Sequence, residues 1–580
     1  MSSSDFKTKL IYDSALNDIS DKVTYGIRKG GADVSFQSFP TSSATSSSIN
    51  WTVNPPSEST CVDRDVIIES DIRFTITYGS QANPAGIPAG DSILQWGVSE
   101  SLQAYPLNRL FTTSTLSCNN VSTSVNNSDV LPGLLRCLDE EYSQKWYGGT
   151  PTLLDNYASY PDCPGKNNNP LADYGGAGYN NCLLPRGAHG FTLVAPGGTN
   201  STGINRYDAT GNRIDNSPIS TAVTDYWVIG YSVRVREPLF CSPMLFGDKK
   251  FNNAAFLGIN NFQLVISVDS QCRKLFSSAN TSVPTSQYKV ALFDSEPFQN
   301  MQLQMKFYSA PLPMILPSKS SLPYMSYVSY KSSNYSAIAL NITDRLEINS
   351  LQLEVIPDKL IVFVQQKLSD QSVRSADSFL EIQGVSVTFG SKSGSLSNAS
   401  QYQLWKLSRK NGCQQSWLEW RGYANKHTTS APYNASYPTT GSVLVLDPSM
   451  DFGLSAPYLA NGSIGQYSLQ MSINVKRNVP DHIDKVGFEP EVVVIACRSG
   501  VMVTSAGQST LTTNMLNSQI VTEALENDKD PMSSGQYERL VGGANPSSDL
   551  PSETGKGGAR SGGAARSGGA RYSKLSSLAM

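Results

Sequence analysis

The side chains that most often catalyse reactions or bind metals are few in this sequence and poorly spaced for either task. The three histidines are His189, His427 and His482, and none has a second histidine or a cysteine at the spacing of a metal site. No H-E-x-x-H sequence, calcium-binding loop or G-x-S-x-G elbow is present. We therefore predict no catalytic residue, no metal and no cofactor.

Nine cysteines form an odd set without any C-x-x-C pair, so free thiols are expected. Four of them, Cys118, Cys137, Cys163 and Cys182, fall in a region that we predict to be a long loop and could gather round a zinc ion. Structural zinc sites usually contain close cysteine pairs, and these four are far apart in sequence. The free-thiol interpretation is therefore preferred.

Two further motifs have an ordinary structural explanation. Asp447 and Asp451 lie on a turn between predicted strands, and they could serve a glycosidase only if folding brought a second carboxylate within about 5–10 Å. Capping a turn is the commoner task of such residues. The segment Gly555–Gly558 resembles part of a phosphate-binding loop, but no predicted strand precedes it and no helix follows, which favours a flexible linker.

One segment suggests binding. The C-terminal region repeats Gly-Gly-Ala with spaced arginines, so it cannot form a core but could place cations on phosphate groups. A solvated linker or an arm that docks on a neighbouring protein explains it equally well. The candidate polyanion or minor-protein contacts are Lys556, Arg560, Arg566, Arg571 and Lys574.

Charge elsewhere gives no reason to expect nucleic acid or an anionic membrane as a partner. The formal net charge is −3, and because the five tail cations have no acid among them, residues 1–555 carry −8. Only 16% of residues are charged, while 45 glycines, 32 prolines and 27 tyrosines indicate a globular chain rich in turns. No secretory signal or long apolar stretch is found, so we expect synthesis inside a cell without secretion.

The elements of the chain are predicted to be strands, most clearly within residues 441–476. In the segment 467–475, apolar residues at odd positions alternate with polar ones, which is the period of a strand with one buried face. The short apolar run 443–446 is typical of a strand buried on both faces. Similar patterns occur in 66–78, 227–235, 262–268 and 301–307, and again in the second half of the chain.

These patterns divide the chain into five parts. We predict an N-terminal arm at 1–45, a first sandwich at 46–310 with a large loop excursion at about 115–220, and a proline-rich connector at 311–323. A second sandwich at 324–525 and a flexible tail at 526–580 follow. Since no long amphipathic helix separates the strands, we predict an all-β fold of two antiparallel eight-stranded jelly-roll sandwiches side by side.

Several segments resemble one protein family. The opening at 34–66, the segments 344–366 and 401–420, and 441–476 are similar to double jelly-roll major capsid proteins of polinton-like viruses and related double-stranded DNA viruses. The resemblance implies a homotrimer, a capsomer of pseudo-hexagonal outline that tiles an icosahedral shell, with outward loops and inward termini. It also implies a location in the virion, penton and minor capsid proteins as partners, and contact of the tail with genome DNA or an internal membrane.

Two other functional classes stay open at this point. One is a β-sandwich that binds or cleaves carbohydrate, which would need an aromatic-lined groove with paired carboxylates. The other is an intracellular scaffold or adhesin-like module. A structural subunit that is not an enzyme is the preferred hypothesis, because a weakly charged chain rich in tyrosine can bury broad faces against copies of itself.

Overall fold

The structure is a computed structural model of the chain. It describes residues 27–28, 33–57, 60–79, 100–138, 192–194, 204–207, 226–244, 254–278, 288–309, 319–371, 377–390, 392–427, 434–454, 461–478, 487–505, 507–512 and 516–517.

The first half of the chain forms one antiparallel sandwich. Its strands are β1 (Ile27–Arg28), β2 (Asp33–Pro40), β3 (Ser43–Ala44), β4 (Ser48–Val53), β5 (Thr60–Asp63), β6 (Ile67–Gly79), β7 (Glu100–Leu102), β8 (Phe111–Cys118), β9 (Val121–Asn126), β10 (Thr192–Leu193), β11 (Ile204–Tyr207), β12 (Tyr226–Pro238), β13 (Ala254–Phe256), β14 (Phe262–Val268), β15 (Phe276–Ser278), β16 (Tyr288–Leu292) and β17 (Phe298–Ser309). One sheet has the order β1-β13-β5-β17-β6-β12-β10, with β2 paired to β17, β11 to β12 and β16 to β6, and the facing sheet has the order β3-β4-β14-β8-β9. β7 and β15 form a separate two-stranded sheet.

The second half forms another sandwich of two five-stranded sheets. Its strands are β18 (Lys319–Ser332), β19 (Thr343–Val355), β20 (Lys359–Gln366), β21 (Glu381–Phe389), β22 (Lys392–Ser395), β23 (Tyr423–His427), β24 (Asn434–Pro438), β25 (Val443–Leu446), β26 (Ser463–Lys476), β27 (Pro490–Ser505), β28 (Gln508–Thr512) and β29 (Leu516–Asn517). One sheet runs β18-β27-β20-β25 with β28 beside β27, and the other runs β19-β26-β21-β22 with β29 beside β26, while β23 and β24 form a separate two-stranded sheet. The all-β double jelly-roll prediction is confirmed, and short edge strands account for the larger strand number.

Helices are short and lie between strands in the described part of the chain. They are α1 (Pro106–Leu110), α2 (Asn127–Leu135), α3 (Gln401–Lys410), α4 (Trp417–Trp420), α5 (Pro448–Asp451) and the single 3-10 turn Leu368–Asp370. Among the described residues, no helix combines the length and apolarity needed to cross a membrane.

The strand patterns explain where the core lies. In β26 the side chains of Leu469, Met471, Ile473 and Val475 are buried, as the alternation predicted. All four residues of β25 are buried, as are seven of the eight in β20, which is the pattern of strands covered on both faces. One contiguous apolar core runs through both sandwiches. The sheet that contains β20 and β25 is therefore an inner layer of the molecule.

The open edge of β25 is covered by side chains of the α3–α4 region. Ser408 accepts a hydrogen bond from the Val445 N–H at 3.1 Å, and the Trp420 indole donates to the Val443 carbonyl at 2.9 Å. Gln415 accepts from the Val443 N–H at 3.1 Å. These side chains thus satisfy backbone N–H and C=O groups on the unpaired edge of β25. Without them, these groups would have no hydrogen-bond partner in the sheet.

Three predicted boundaries differ from the structure. Order begins before residue 46, because β2 of the predicted arm pairs with β17 along its full length. The first part of the predicted excursion, residues 115–135, belongs to the end of β8, to β9 and to α2, where Asn127 donates to the Ser114 hydroxyl at 2.9 Å. The connector ends before Pro323, which lies in β18, an edge strand that tolerates a missing backbone donor.

Candidate functional site

The two sandwiches meet at a buried ionic cluster. Asp377, just before β21 of the second sandwich, receives two hydrogen bonds from the guanidinium of Arg109 on α1 of the first. Arg109 Nη1 lies 3.0 Å from Asp377 Oδ1, and Nη2 bonds to Oδ2. Each side chain is only 3% exposed, so this fork-shaped pair is closed off from water.

Two further cations of the first sandwich surround the same carboxylate. Arg136, at the end of α2, places Nη2 3.6 Å from Asp377 Oδ2, and Lys274 places Nζ 3.5 Å from Oδ1. Arg136 also approaches a second acid, since its Nε lies 3.9 Å from Oε1 of Glu419 on α4. We call these five residues the junction cluster. Its acids come from the second sandwich and its cations from the first.

Taken together, burial and the neighbouring charges lower the pKa values of both Asp377 and Lys274 in the junction cluster. Burial alone would raise the pKa of Asp377, but the charges of Arg109, Lys274 and Arg136 outweigh it and hold that pKa well below its usual range. Burial lowers the pKa of Lys274, and the two guanidiniums lower it further, while Asp377 opposes them. Asp377 is therefore ionised at neutral pH, and its charge is what balances the buried cations.

Such a cluster fixes a geometry and carries out no reaction. A buried ion pair adds little net stability over apolar packing, because both charges must leave water, but removing one partner leaves the other buried and unpaired. Only the relative placement that brings Asp377 to Arg109 satisfies these charges. The cluster therefore determines how one sandwich sits against the other.

Hydrogen bonds join the two sandwiches at other points as well. Thr504 of β27 donates to the Leu257 carbonyl at 2.7 Å, and the Ser509 N–H donates to Asn120 Oδ1 at 2.7 Å. Lys331 of β18 lies 3.0 Å from Asp129 of α2. Together with the junction cluster, these contacts hold the two sandwiches against each other.

Close packing brings α2 against the inner sheet. A side-chain carbon added to Gly133 would lie 2.7 Å from Phe363 Cε1 and 3.2 Å from Ile361 Cγ2. Only a residue without a side chain allows this approach of helix backbone to β20. The junction is therefore tightly packed as well as ionically matched.

Glu237 is a second buried acid, and it fixes α1. Its Oε1 accepts from the Leu107 N–H at 2.8 Å, and its Oε2 accepts from the Asn108 N–H at 2.9 Å and from Asn108 Nδ2 at 2.8 Å. Burial raises the pKa of Glu237 to about 7, although these hydrogen bonds and the charge of Arg109 lower it. Since Arg109 belongs to α1, Glu237 supports the junction cluster from within the first sandwich.

This pKa predicts a pH dependence of stability. Between pH 4.5, the ordinary pKa of a glutamate carboxyl, and about pH 7, the folded protein keeps on Glu237 a proton that the unfolded chain has released. The contribution of Glu237 to the free energy of unfolding therefore falls as pH rises. We expect a loss of up to about 3 kcal/mol over this window. Thermal unfolding of the wild type and of Glu237→Gln at several pH values measures this loss. Other titrating groups contribute to both proteins, so the difference between the two pH slopes belongs to Glu237. Equal slopes in the two would contradict the prediction.

The residues considered for catalysis have structural roles where the structure describes them. Asp447 caps α5 by accepting from the Ser449 N–H at 3.1 Å, and Asp451 accepts from the Asp447 N–H at 2.8 Å and from Asn411 at 2.7 Å. These bonds place both acids in a turn, as the sequence suggested. His427 ends β23.

The described cysteines are buried free thiols. Burial raises the pKa of Cys118 and of Cys137 to about 12, which makes both poor nucleophiles. Within the described residues, no group of three or more His, Cys, Asp or Glu side chains is arranged to hold a metal ion. Several sequence candidates lie outside the described residues: Cys163, Cys182, His189, His482, the Gly555–Gly558 segment, Lys556, Arg560, Arg566, Arg571 and Lys574.

Sequence reasoning missed the junction cluster. Its central pair is separated by 268 positions in the chain, and nothing local distinguishes Asp377 from a surface acid. The one signal in the sequence is its composition. Because only 16% of the residues are charged, a charged residue among apolar ones is unusual and is a candidate for a buried ion pair. Pairing those charges requires the topology.

The surface carries several exposed apolar side chains. Phe36 of the edge strand β2 is 76% exposed, with Lys306 Nζ 5.1 Å from its ring centre. On α3 and α4, Tyr402 packs edge-on against Trp417 at 5.3 Å and is 46% exposed, while Leu418 beside it is 50% exposed. These positions are candidate contact surfaces, because large exposed apolar groups that lie together mark sites of association.

Comparison with known proteins covers both sandwiches. A family model for the first domain of the Sputnik virophage major capsid protein matches residues 4–308, and a model for the C-terminal domain of major capsid protein V20 matches residues 324–500. A putative capsid protein V20 of Sputnik virophage is 26% identical over 502 residues, covering 84% of this chain and 76% of the relative.

Solved structures show the same fold. A chain in the cryo-EM structure of the Sputnik virophage superposes with a TM-score of 0.70 at 22% identity, covering 92% of this chain and 98% of that one. The mavirus major capsid protein gives a TM-score of 0.62 at 15% identity, covering 91% and 98%. Both similarities cover most of this chain and nearly all of the matched chain.

Proposed function

The chain belongs to the Sputnik virophage major capsid protein family, and from this we propose that it is the main structural subunit of an icosahedral virus shell. The observation that carries the proposal is that capsid-protein models match both sandwiches, over 4–308 and 324–500. The matched proteins are structural and are not enzymes, and the Asp447–Asp451 pair that a glycan-cleaving alternative would need is occupied in capping a turn. The carbohydrate hypothesis therefore has no support.

The junction supports this role physically. A shell subunit must transmit contacts from one neighbour to the next without bending, and the junction cluster together with the Gly133 contact makes the two sandwiches one rigid block. A hinge between them would let each sandwich take its own orientation. Two upright sandwiches locked side by side present two broad flanks to neighbouring copies.

We further propose that three copies form the capsomer. Two sandwiches in each of three chains give six similar units round an axis, which produces a pseudo-hexagonal outline suited to tiling. Light scattering on the purified full-length chain tests this: we expect a mass three times the 62.7 kDa of one chain. A stable monomer would contradict the trimer.

The tail is proposed to face the inside of the shell, where its five cations would meet DNA, an internal membrane or minor capsid proteins. For DNA, we expect a chain truncated after Asn545 to lose gel retention of duplex DNA that the full-length chain shows at low salt. Five contacts give a salt slope of at most roughly −4 to −5, so the retention should disappear as salt is raised. Equal retention by both chains would contradict the DNA role.

A matched control separates charge from length. A full-length chain with Lys556, Arg560, Arg566, Arg571 and Lys574 replaced by glutamine keeps the tail but removes its cations. It should behave as the truncated chain does. We also propose penton and minor capsid proteins as partners, and assembly inside the host cell.

A further inference from the structure

The two sandwiches repeat one strand plan. One sheet of the first contains the run β5-β17-β6-β12, and one sheet of the second is β18-β27-β20-β25. Both runs place their strands, counted along the chain, in the order first, fourth, second, third. The facing sheets contain β4-β14-β8-β9 and β19-β26-β21-β22, which follow the same order. Strand β6 of the first sandwich therefore corresponds to β20 of the second.

The plan also includes a helix at the same point in both sandwiches. Helix α2 begins directly after β9, and α3 is the next element after β22, the strand that corresponds to β9. Helix α2 packs against β8, and α3 packs against β21, which corresponds to β8. Helix α3 is therefore the counterpart of α2.

Within one chain, α2 covers the face of β20 that is turned towards the first sandwich. Gly133 of α2 leaves no room for a side-chain carbon beside Ile361 and Phe363, and seven of the eight residues of β20 are buried. The counterpart strand β6 differs. Its core-facing residues Ile72 and Phe74 are fully buried, but the alternate residues 71, 73, 75 and 77 are partly exposed. The outer face of β6 is therefore left partly open to solvent.

The counterpart helix α3 keeps an exposed apolar side. Leu404 is buried against the sandwich, while Tyr402 is 46% exposed and Leu418 of the adjacent α4 is 50% exposed. Tyr402, Trp405 and Trp417 contact one another, with ring centres 5.3 to 5.7 Å apart. Aromatic and apolar side chains that lie together on a surface are typical of contacts between proteins.

The outer face of the β6 sheet carries groups that suit an aromatic partner. Arg234 and Arg236 of β12 reach Glu69 of β6 at 2.5 and 2.9 Å, yet their side chains remain 63% and 55% exposed. A guanidinium held in this way presents a planar face on which tyrosine and tryptophan rings stack. The rings of Tyr402 and Trp417 are of this kind.

Charge does not oppose such a contact. On the outer face of β6, Asp71 is the cross-strand partner of Arg234, and Arg73 lies 3.7 Å from Glu296. Since Glu69 balances the other arginine, these acids and bases cancel. The cations of α3 would therefore meet a surface without a strong charge of the same sign.

We propose that the side of α3 and α4 marked by Tyr402, Trp417 and Leu418 packs on the outer face of β6 and β12 in a second copy of this chain. The contact between copies repeats the one that α2 makes on β20 within a chain. Because the two surfaces lie on different sandwiches, the contact is heterologous and closes a ring when three copies take part. The inference rests on the proposed trimer and names the surfaces that form it.

Photo-cross-linking of the full-length protein tests the contact. Leu418→p-benzoylphenylalanine places a light-activated group on the proposed surface. We expect cross-links between chains, and mass spectrometry of the cross-linked peptides should locate them on β6 or β12 of the other copy. Ile342→p-benzoylphenylalanine is the control, since Ile342 is similarly exposed at 53% but lies before β19, and it should give no cross-link to β6 or β12.

A second measurement uses ordinary substitutions. Tyr402→Ser combined with Leu418→Ser should weaken association of the trimer about tenfold or more, as measured by sedimentation equilibrium. Ile342→Ser should associate as the wild type does. Both changed side chains are about half exposed, so the double variant is expected to fold, and the cross-linking result does not depend on it.

The outcomes separate this contact from the trimer itself. Cross-links from position 418 that fall on the second sandwich of the other copy, or that are absent although trimers form, would overturn the inference and leave the trimer standing. A double variant that associates as tightly as the wild type would do the same. A wild-type chain that stays a monomer would refute the trimer, and this contact with it.

Discussion

Replacing Asp377 with asparagine should lower the free energy of unfolding by about 3–5 kcal/mol. The substitution keeps the shape of the side chain but removes the negative charge that Arg109, Arg136 and Lys274 share. Three cations would then be buried without their main partner, and their desolvation would no longer be offset. Thermal and urea unfolding, followed by tryptophan fluorescence, measure the loss.

Asp294→Asn is the matched control, because that acid is exposed. It should change stability by no more than about 0.5 kcal/mol. Adding Arg109→Met to the Asp377→Asn variant should cost less than the sum of the single changes, since it removes one of the unpaired cations. A loss below about 1 kcal/mol for Asp377→Asn alone would show that the junction cluster does not hold the sandwiches together.

Replacing Gly441 with alanine should cost about 4 kcal/mol or more, or prevent folding. The backbone of Gly441 has φ +98°, and a side-chain carbon there would lie 1.9 Å from the Phe379 carbonyl oxygen, a backbone atom that cannot turn aside. The Gly441 N–H donates to the Glu419 carbonyl at 3.0 Å, and the Phe379 N–H donates to the Thr440 carbonyl at 2.6 Å. One turn therefore positions the segments that carry both acids of the junction cluster.

Gly390→Ala separates the close contact from the backbone strain. Gly390 also has a positive φ, +58°, but a side-chain carbon there would meet no atom within 4 Å. Its substitution should cost only about 1–2 kcal/mol. Soluble yield and melting temperature compare the two, and a Gly441→Ala protein as stable as Gly390→Ala would refute the close-contact explanation.

The sequence predicts the strands well because their periodicity is local. The alternation in 467–475 and the continuous apolar run at 443–446 depend only on which faces are covered, and burial follows both patterns. The all-β class follows from strands without intervening long helices. None of this requires knowing which strands pair.

The remainder depends on contacts between distant segments. Asp377 and Arg109 become partners only when both sandwiches have formed, and Ser114 and Asn127, two buried polar residues of 111–135, bond to each other within the fold. Helix α3 did carry a local signal that the strand analysis passed over: Ser400 and Gln403 form a capping box at its start. In a chain rich in turns, a polar segment favours a loop prediction. Here, pairing with other segments makes such a segment a strand or a helix.

Electron cryomicroscopy of the purified full-length chain would show whether it is a shell subunit built as a rigid double block. We expect particles of three chains around an axis, with six sandwich outlines and the two sandwiches of each chain held in one fixed relative orientation. Lattices with hexagonal spacing are expected as the protein concentration is raised. Single-chain particles, or two sandwiches that vary in relative orientation from particle to particle, would contradict a shell subunit built as a rigid double block.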